Sequence, residues 1–389
     1  MRSGLARPAS PPVPGPDLAP AVQHRRWMAA PLRTLRLAQR RFGPVFRWDF
    51  PAFGPTVVVA GVGEARALAA LRPPTLLGIR EPLAAVVGPA SVLALRGSAP
   101  HAARRRLGSA MGSAGPWVEG FVERTDVRLA GRDRVDLYEL ALDAVTDALG
   151  LGLGVDDPAW GAVLDGVFGG PAPGHLFGGD GVERRGALQQ LRARVGTGAG
   201  EGWEAALAAG GAGADDLALT LLGATREPVA AACAWSVVAA CRAGAWGASD
   251  REIVLEALRL HPPGPLLRRV TGEELLVGPH RLPPGTQIAL ATALLHRDPR
   301  SYADPDRFQP ERWRSSRPPR DLLTWGMGSR RCLGARVALG MVEAFVGQLR
   351  AHRPRWIPGP SGVERHNLTL VPAARDVELA GTTDRKVFP

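Results

Sequence analysis

Alternating or β-branched apolar positions run through GPVFRWDF (43–50) and TVVVAGV (56–62), with the turn residues PAFGP between them, and predict a hairpin. The period then changes. GEARALAAL (63–71) reads as a helix, a Pro- and Gly-rich loop region follows to about residue 98, and three helical segments are predicted between His101 and Leu151. GGPAPGHLFGGDG (169–181) reads as a flexible connection. The stretch 215–244 is the longest apolar helix, broken only by Pro228. SDREIVLEALRLHPP (249–263) opens on Ser249 as an N-cap and stops at a proline pair. Short strands follow in ELLVG (274–278) and TQIALAT (286–292), then a helix over 334–352 and two closing strand candidates, NLTLVP (367–372) and DVELAG (376–381). Strands early and late with helices between predict a mainly α protein with small β-sheets, an α+β class.

Of the 389 residues, 45% are hydrophobic, enough to bury a large core. Residues 1–34, which open MRSGLARPASPPVPGP, are read as a flexible proline-rich lead-in without the apolar core of a signal peptide, and 35–389 as one domain. Apolar segments are interrupted by charge or proline before the roughly 18 residues that a membrane span needs, so no membrane association is expected. Three cysteines, at 233, 241 and 332, suggest no disulfide framework, and a cytoplasmic location is expected. The net charge is +11, and with Lys386 the single lysine nearly all the positive charge is arginine. Those arginines are scattered among acidic or apolar neighbours, and no basic run is interleaved with aromatics. Nucleic-acid binding is therefore not expected.

One cysteine stands in an unusual setting. TWGMGSRRCLGARVA (324–338) surrounds Cys332 with glycines and arginines. A thiolate that ligates a metal carries a charge that needs support. Backbone N–H groups of a glycine-rich loop and the start of a following helix supply it. No second Cys or His sits at zinc-ligand spacing. Local sequence leaves two fates open for Cys332: the axial thiolate of a haem, whose macrocycle brings the remaining ligands, or a free buried cysteine.

WGMGSRRCLG resembles the haem-binding loop of the cytochromes P450, F-x-x-G-x-R-x-C-x-G, with Trp325 in the usual Phe position. Other motifs stand in the family's order. Glu256-x-x-Arg259 is similar to its E-x-x-R, DPDRFQPERW (304–313) resembles the segment whose arginine, here Arg312, completes an E-R-R triad, and HAARR (101–105) resembles an H-x-x-x-R helix. The segment from Leu266 to Pro299 is similar to the family's strand region, and the likeness covers roughly residues 35 to 380. The chain is thus identified as resembling the bacterial, soluble members of the cytochrome P450 superfamily. The resemblance implies that fold, with haem b between the central helix and the cysteine loop. It also implies Cys332 as the iron ligand, His101, Arg105, Arg269 and Arg330 as partners of the haem propionates, and a buried Glu256–Arg259–Arg312 network holding the loop.

The central helix departs from the family's A/G-G-x-D/E-T. Aligned on Ala234 and Trp235, the segment is ATREPV (224–229): Glu227 keeps the acid of the proton relay, and Pro228 replaces the threonine. Having no N–H, Pro228 cannot bond the Ala224 carbonyl, so it is expected to open the same turn while losing the hydroxyl. Arg226 is similar to an arginine that holds a substrate carboxylate in peroxide-using relatives, although Glu227 intervenes before the proline. Only 20 residues, 236–255, separate Trp235 from Glu256, where most members carry two further helices. The resemblance implies an oxidoreductase of secondary metabolism acting on a small, largely apolar molecule. It would be served by a ferredoxin and reductase, or, given Pro228, would use peroxide or run an isomerisation or dehydration outside the reductive cycle. A haem carrier without turnover is disfavoured by the intact motifs. Pocket residues are expected from 73–98, from 165–185, from the central helix and from the strand after Arg269.

Overall fold

A computed structural model describes residues 10–51, 53–71, 75–77, 87–95, 99–151, 155, 159–168, 182–195, 207, 213–314, 322–360, 362–366 and 369–380. The first hairpin forms as predicted: β1 (Val45–Phe50) and β2 (Gly54–Val59) run antiparallel, with Val45 opposite Val59. Its apolar residues bury Phe46, Phe50 and Val58 against Trp27 and Leu35 of two N-terminal helices, Pro20–Ala29 and Pro31–Phe42. The sheet grows from remote strands: β3 (Leu76–Leu77), β5 (Leu267–Thr271) and β8 (Gln287–Leu290) complete the order β1-β2-β8-β5-β3. Three small sheets follow, pairing β4 (Arg134–Asp136) with β12 (Asp376–Glu378) and β9 (Arg355–Trp356), β6 (Leu275–Val277) with β7 (His280–Leu282), and β10 (Val363–His366) with β11 (Thr369–Pro372). The rest is mainly helical, as the α+β expectation required. The connection expected at 169–181 lies outside the described residues.

The three helices predicted between 101 and 151 are Ala99–Met111, Gly115–Leu129 and Leu137–Leu151. The central helix differs from its expectation in one respect: it is not broken at Pro228 but runs for 30 residues, Ala214–Ala243, with the proline inside. Pro228 forfeits one backbone bond and crowds the preceding turn. Packing offsets that cost, because the helix is largely apolar and lies against Leu137–Leu151, Asp250–Leu260 and Ala335–Ala351. Among the described residues no helix is long and apolar enough to cross a membrane.

The short route after the central helix is a tight turn. Gly244 takes φ +61 as the helix C-cap, and the next helix, Asp250–Leu260, begins with Ser249 in a capping box with Glu252. Arg350 fastens this turn from Ala335–Ala351: it donates to Asp250 Oδ1 at 2.6 and 2.9 Å, to the Ala248 carbonyl at 2.8 Å and to the Trp246 carbonyl, and its guanidinium lies 5.4 Å from the Trp246 ring centre.

Candidate active site

Cys332 sits where a loop turns into a helix. The Cys332 N–H donates to the Trp325 carbonyl at 2.6 Å, closing the loop on itself. Gly326 and Gly328 hold φ of +73 and +57, conformations that side chains resist, and a Cβ on either would press a backbone oxygen at 3.3 Å. Gly334 then caps the helix Ala335–Ala351, and its N–H supports the sulfur. Burial pushes the Cys332 thiol up, opposed by that N–H and by the charges of Arg104 and Arg331. Cys332 is nonetheless exposed in one direction, towards a cavity.

The loop is braced from behind by the predicted network. Glu256 and Arg259, both fully buried, are joined by bonds of 2.8 and 2.9 Å. Arg312 Nε and the Gln309 N–H donate to Glu256 Oε1 at 3.0 and 2.9 Å, and Trp313 Nε1 donates to Oε2 at 2.9 Å. His296 carries the brace to the loop. Its Nε2 accepts from the Leu323 N–H at 2.7 Å, so Nδ1 bears the proton and donates to the Arg259 carbonyl at 3.1 Å. Thr324 adds a bond to the Leu258 carbonyl at 3.1 Å. Trp313, His296 and Thr324 were not singled out in the sequence: each lies within a quoted segment but at none of the positions that its motif specifies.

The cavity above Cys332 measures about 320 Å³, within the about 300–1,000 Å³ of small-molecule sites. One wall is the central helix, through Thr220, Leu221, Ala224, Thr225, Pro228, Val229 and Ala232, a spacing of three and four that marks one face. Among the described residues four arginines line it, Arg104, Arg269, Arg330 and Arg331, and no carboxylate does. Three of them spend bonds on backbone carbonyls: Arg330 on Val92 and Leu95 at 2.7 and 2.8 Å, Arg269 on Arg268 at 2.7 Å, and Arg104 on Arg331 at 2.6 Å. Burial, and then the nearby charge of Arg330, pulls Arg269 down to about 10. Burial and the charge of Arg104 lower Arg330 as well. A guanidinium stays charged at neutral pH, so these shifts measure what it costs to bury cations without an anion. Donors of this kind beside a single thiolate fit a ligand that carries carboxylates and a metal needing one protein ligand. The haem implied by the sequence meets both demands. Among the described residues no three His, Cys, Asp or Glu are grouped so as to hold a metal by themselves.

Not every residue singled out in the sequence reaches this cavity. Cys332, Arg269, Arg330 and Pro228 line it. His101 and Arg105 do not: both are exposed, because the helix Ala99–Met111 turns Ala103, Leu107, Ala110 and Met111 inwards. The cation that this helix brings to the cavity is Arg104, on the same face as Leu107 and Met111 at i+3 and i+7, a periodicity that was readable in the sequence. Glu227 is also off the lining. It is buried near Tyr138, whose phenol is pushed up by burial and then by the Glu227 charge. Arg226, likewise buried, points away from the cavity, donating to Thr146 Oγ1 at 2.7 Å and Asp165 Oδ1 at 2.6 Å. It therefore does not stand where a substrate carboxylate could meet it. The central helix instead shows the cavity a hydroxyl that went unremarked in the sequence, that of Thr225. From 73–98, Val92 and Leu93 line the cavity; within 165–185, the described residues contribute nothing to it.

Comparison with known proteins agrees with this site. A family profile for Cytochrome P450 matches residues 251–350, the stretch that holds the Glu256 network and Cys332. Cytochrome P450 81D1 of Arabidopsis thaliana is 39% identical over 100 residues, 25% of this chain and 20% of that protein. Two proteins of Streptomyces melanosporofaciens, cyclooctat-9-en-7-ol 5-monooxygenase and cyclooctatin synthase, are each 37% identical, over 114 and 131 residues; these are 28% and 32% of this chain, and 25% and 28% of the relatives' length. The chain thus matches about a quarter of these relatives' length. The structure of retinoic acid bound cyanobacterial CYP120A1 superposes with a TM-score of 0.79 at 20% identity, covering 95% of this chain and 99% of that one, which shows the same fold. The cysteine loop and the buried network thus lie in a stretch, residues 251–350, that matches the cytochrome P450 family, and the chain as a whole has the cytochrome P450 fold.

Proposed function

We propose that the protein is a haem-thiolate oxidoreductase, a monooxygenase or oxidative-coupling enzyme that takes a small, largely apolar molecule, in bacterial secondary metabolism. The observation that carries this reading is the cavity itself, whose lining among the described residues holds one cysteine, four arginines and no carboxylate. Haem b, bound there, supplies oxidising chemistry at an iron whose electron density the thiolate raises. Cys332 holds the iron, with the Gly334 N–H and the Arg104 and Arg331 charges stabilising its sulfur. Arg269 and Arg330, with Arg104, hold the two carboxylates, a task suited to planar guanidinium donors. Leu221, Val229 and Ala232 keep water out and give the substrate an apolar wall. His101 and Arg105, on the exposed face beside Arg104, join the exposed Arg331 and Arg336 in a basic surface next to the cysteine loop. That surface suits an acidic ferredoxin in the cytoplasm. The names of the two Streptomyces relatives support the link to secondary metabolism.

A second reading keeps the thiolate centre but leaves the reductive oxygen cycle for peroxide use, isomerisation or dehydration. It is favoured by the position of Glu227, beside Tyr138 rather than on the cavity, and by Pro228, which has no proton to give.

The deciding experiment expresses the chain with haem and records the reduced, carbon monoxide-bound spectrum. The band characteristic of thiolate ligation is expected, and Cys332→Ser should abolish it. A band that survives the substitution overturns the assignment of Cys332, and a protein that takes up no haem overturns the reading as a whole.

A further inference from the structure

The central helix turns seven residues to the cavity, and only Thr220 and Thr225 among them have polar side chains. The Thr220 hydroxyl is committed, to Ser91 Oγ at 2.6 Å and the Asp216 carbonyl at 2.7 Å. A hydroxyl inside a helix ordinarily bonds back to the carbonyl four residues earlier. The described residues show the habit four times: Thr125 to Phe121 at 2.8 Å, Thr146 to Leu142 at 2.6 Å, Thr220 to Asp216 at 2.7 Å and Ser236 to Ala232 at 2.7 Å. Thr225 departs from it and makes no side-chain hydrogen bond among the described residues, while facing the cavity. Its neighbour Ala224 also lines the cavity, and the residue four positions on, which would donate to the Ala224 carbonyl in a regular helix, is Pro228. One wall of an apolar cavity thus carries an uncommitted O–H and, one residue away, a carbonyl deprived of its helical donor.

We propose that the Thr225 hydroxyl and the Ala224 carbonyl together bind a hydroxyl group of the substrate, so that the enzyme takes an apolar alcohol. The proposal deepens the reading of this cavity as an oxidase site and rests on it. An alcohol both accepts and donates, and so matches the pair. A ketone can use only Thr225. A carboxylate would face the carbonyl dipole with the wrong sign, and the cavity's arginines stand on other elements, next to Cys332 and on β5. An ammonium group would enter a cavity that already holds four cations. A neutral hydroxyl is the group that both contacts and the surrounding charge accept. Two such bonds are worth about 10-fold in affinity against a ligand that makes neither.

The test is calorimetric titration of the haem-loaded full chain with cyclododecanol, cyclododecanone and cyclododecane, three probes of nearly one shape. The alcohol is expected to bind about 10-fold more tightly than the hydrocarbon, with the ketone between. Thr225→Val, which keeps the shape and loses the hydroxyl, should bring the ketone level with the hydrocarbon, shrink the alcohol's advantage to what the Ala224 carbonyl alone supplies, and leave the hydrocarbon unchanged. Pro228→Ala, which restores a donor to the Ala224 carbonyl, should weaken the alcohol and spare the ketone. Equal binding of alcohol and hydrocarbon by the parent protein, or an alcohol and ketone preference undiminished by Thr225→Val, overturns the proposal. The carbon monoxide spectrum of the same samples separates the two failures: its thiolate band intact with no alcohol preference sinks the alcohol assignment alone, and its loss sinks the oxidase reading.

Discussion

Glu256 and Arg259, one helical turn apart and both shut off from solvent, are joined by two hydrogen bonds of 2.8 and 2.9 Å. The pair is one end of a rigid chain of contacts. Arg259 passes it to His296 through its carbonyl, and His296 passes it to Leu323 at the mouth of the cysteine loop.

Glu256→Ala removes the acceptor of five of these bonds and leaves the Arg259 guanidinium buried without its counter-charge. Breaking a buried pair on one side costs about 3–5 kcal/mol, a large part of a domain's stability. Soluble yield and haem content should fall together. A soluble, haem-replete Glu256→Ala protein with the parent's melting temperature would show that the network is dispensable.

His296→Leu tests the link rather than the pair. It leaves the Leu323 N–H and the Arg259 carbonyl inside the protein without that partner, at about 1–3 kcal/mol for each group. The protein should fold with a lowered melting temperature, and hydrogen exchange should quicken at residues 322–334 more than in the first sheet. Uniform quickening would mean that His296 is simply a core residue.

Arg269→Met should change sign with the cofactor. Burial, and then the charge of Arg330, lowers the Arg269 guanidinium well below its ordinary range, to about 10, which corresponds to about 3 kcal/mol of cost in the ligand-free protein. The folded value lies below the unfolded one, so this cost is fully present at every pH below about 10 and fades only as the pH climbs into the ordinary guanidinium range. The ligand-free variant should therefore be more stable than the parent, equally so at about pH 6 and about pH 9. Loaded with haem, the same variant should lose the cofactor faster to an apomyoglobin trap. A variant that is less stable in both states would place Arg269 among ordinary structural cations.

Pro228→Thr tests the departure in the central helix. Proton delivery by a positioned group contributes about 10²–10⁴ in rate, and neither Pro228 nor the displaced Glu227 offers one to the cavity. With ferredoxin and reductase the natural protein should consume reducing equivalents with little product, and hydrogen peroxide should serve it better. The threonine should raise product per NADPH by about 10-fold or more. Tight coupling in the natural protein, unimproved by threonine, would make Pro228 a structural variant only.

Much of this architecture was legible because its signals are local. The capping box at Ser249, the turn between β1 and β2, and the glycines before Cys332 each act over a few residues, and the structure contains all three. What the spaced motifs did not carry was rotation. A motif such as His101-x-x-x-Arg105 fixes spacing, and i and i+4 do share a face, but which face is buried depends on what Leu107 and Met111 pack against. The same applies to Glu227 and Thr225, two positions apart and so on different sides of one helix: counting from Ala234 placed the acid at the cavity, and packing against the helix Leu137–Leu151 took it away. Pro228 was read as a break because a proline weakens an isolated helix, whereas here packing of the helix against Leu137–Leu151, Asp250–Leu260 and Ala335–Ala351 holds the segment helical through it.

The parallel pairing of β2 with β8 has a consequence in time. Val57 lies opposite Ile288, so the two strands are separated by 231 positions, 288 minus 57. At about 5–20 residues per second on the ribosome, β2 emerges roughly 10 to 50 seconds before its neighbour exists. Throughout that interval Val57, Val58 and Val59 form an open apolar edge, the kind that recruits other nascent chains. The wait has to be covered by a chaperone or shortened by fast elongation. Yield in a foreign host should therefore respond to translation speed and growth temperature before it responds to added haem precursor, since the strand next to the one that carries Arg269 is not in place until the last quarter of the chain is being made.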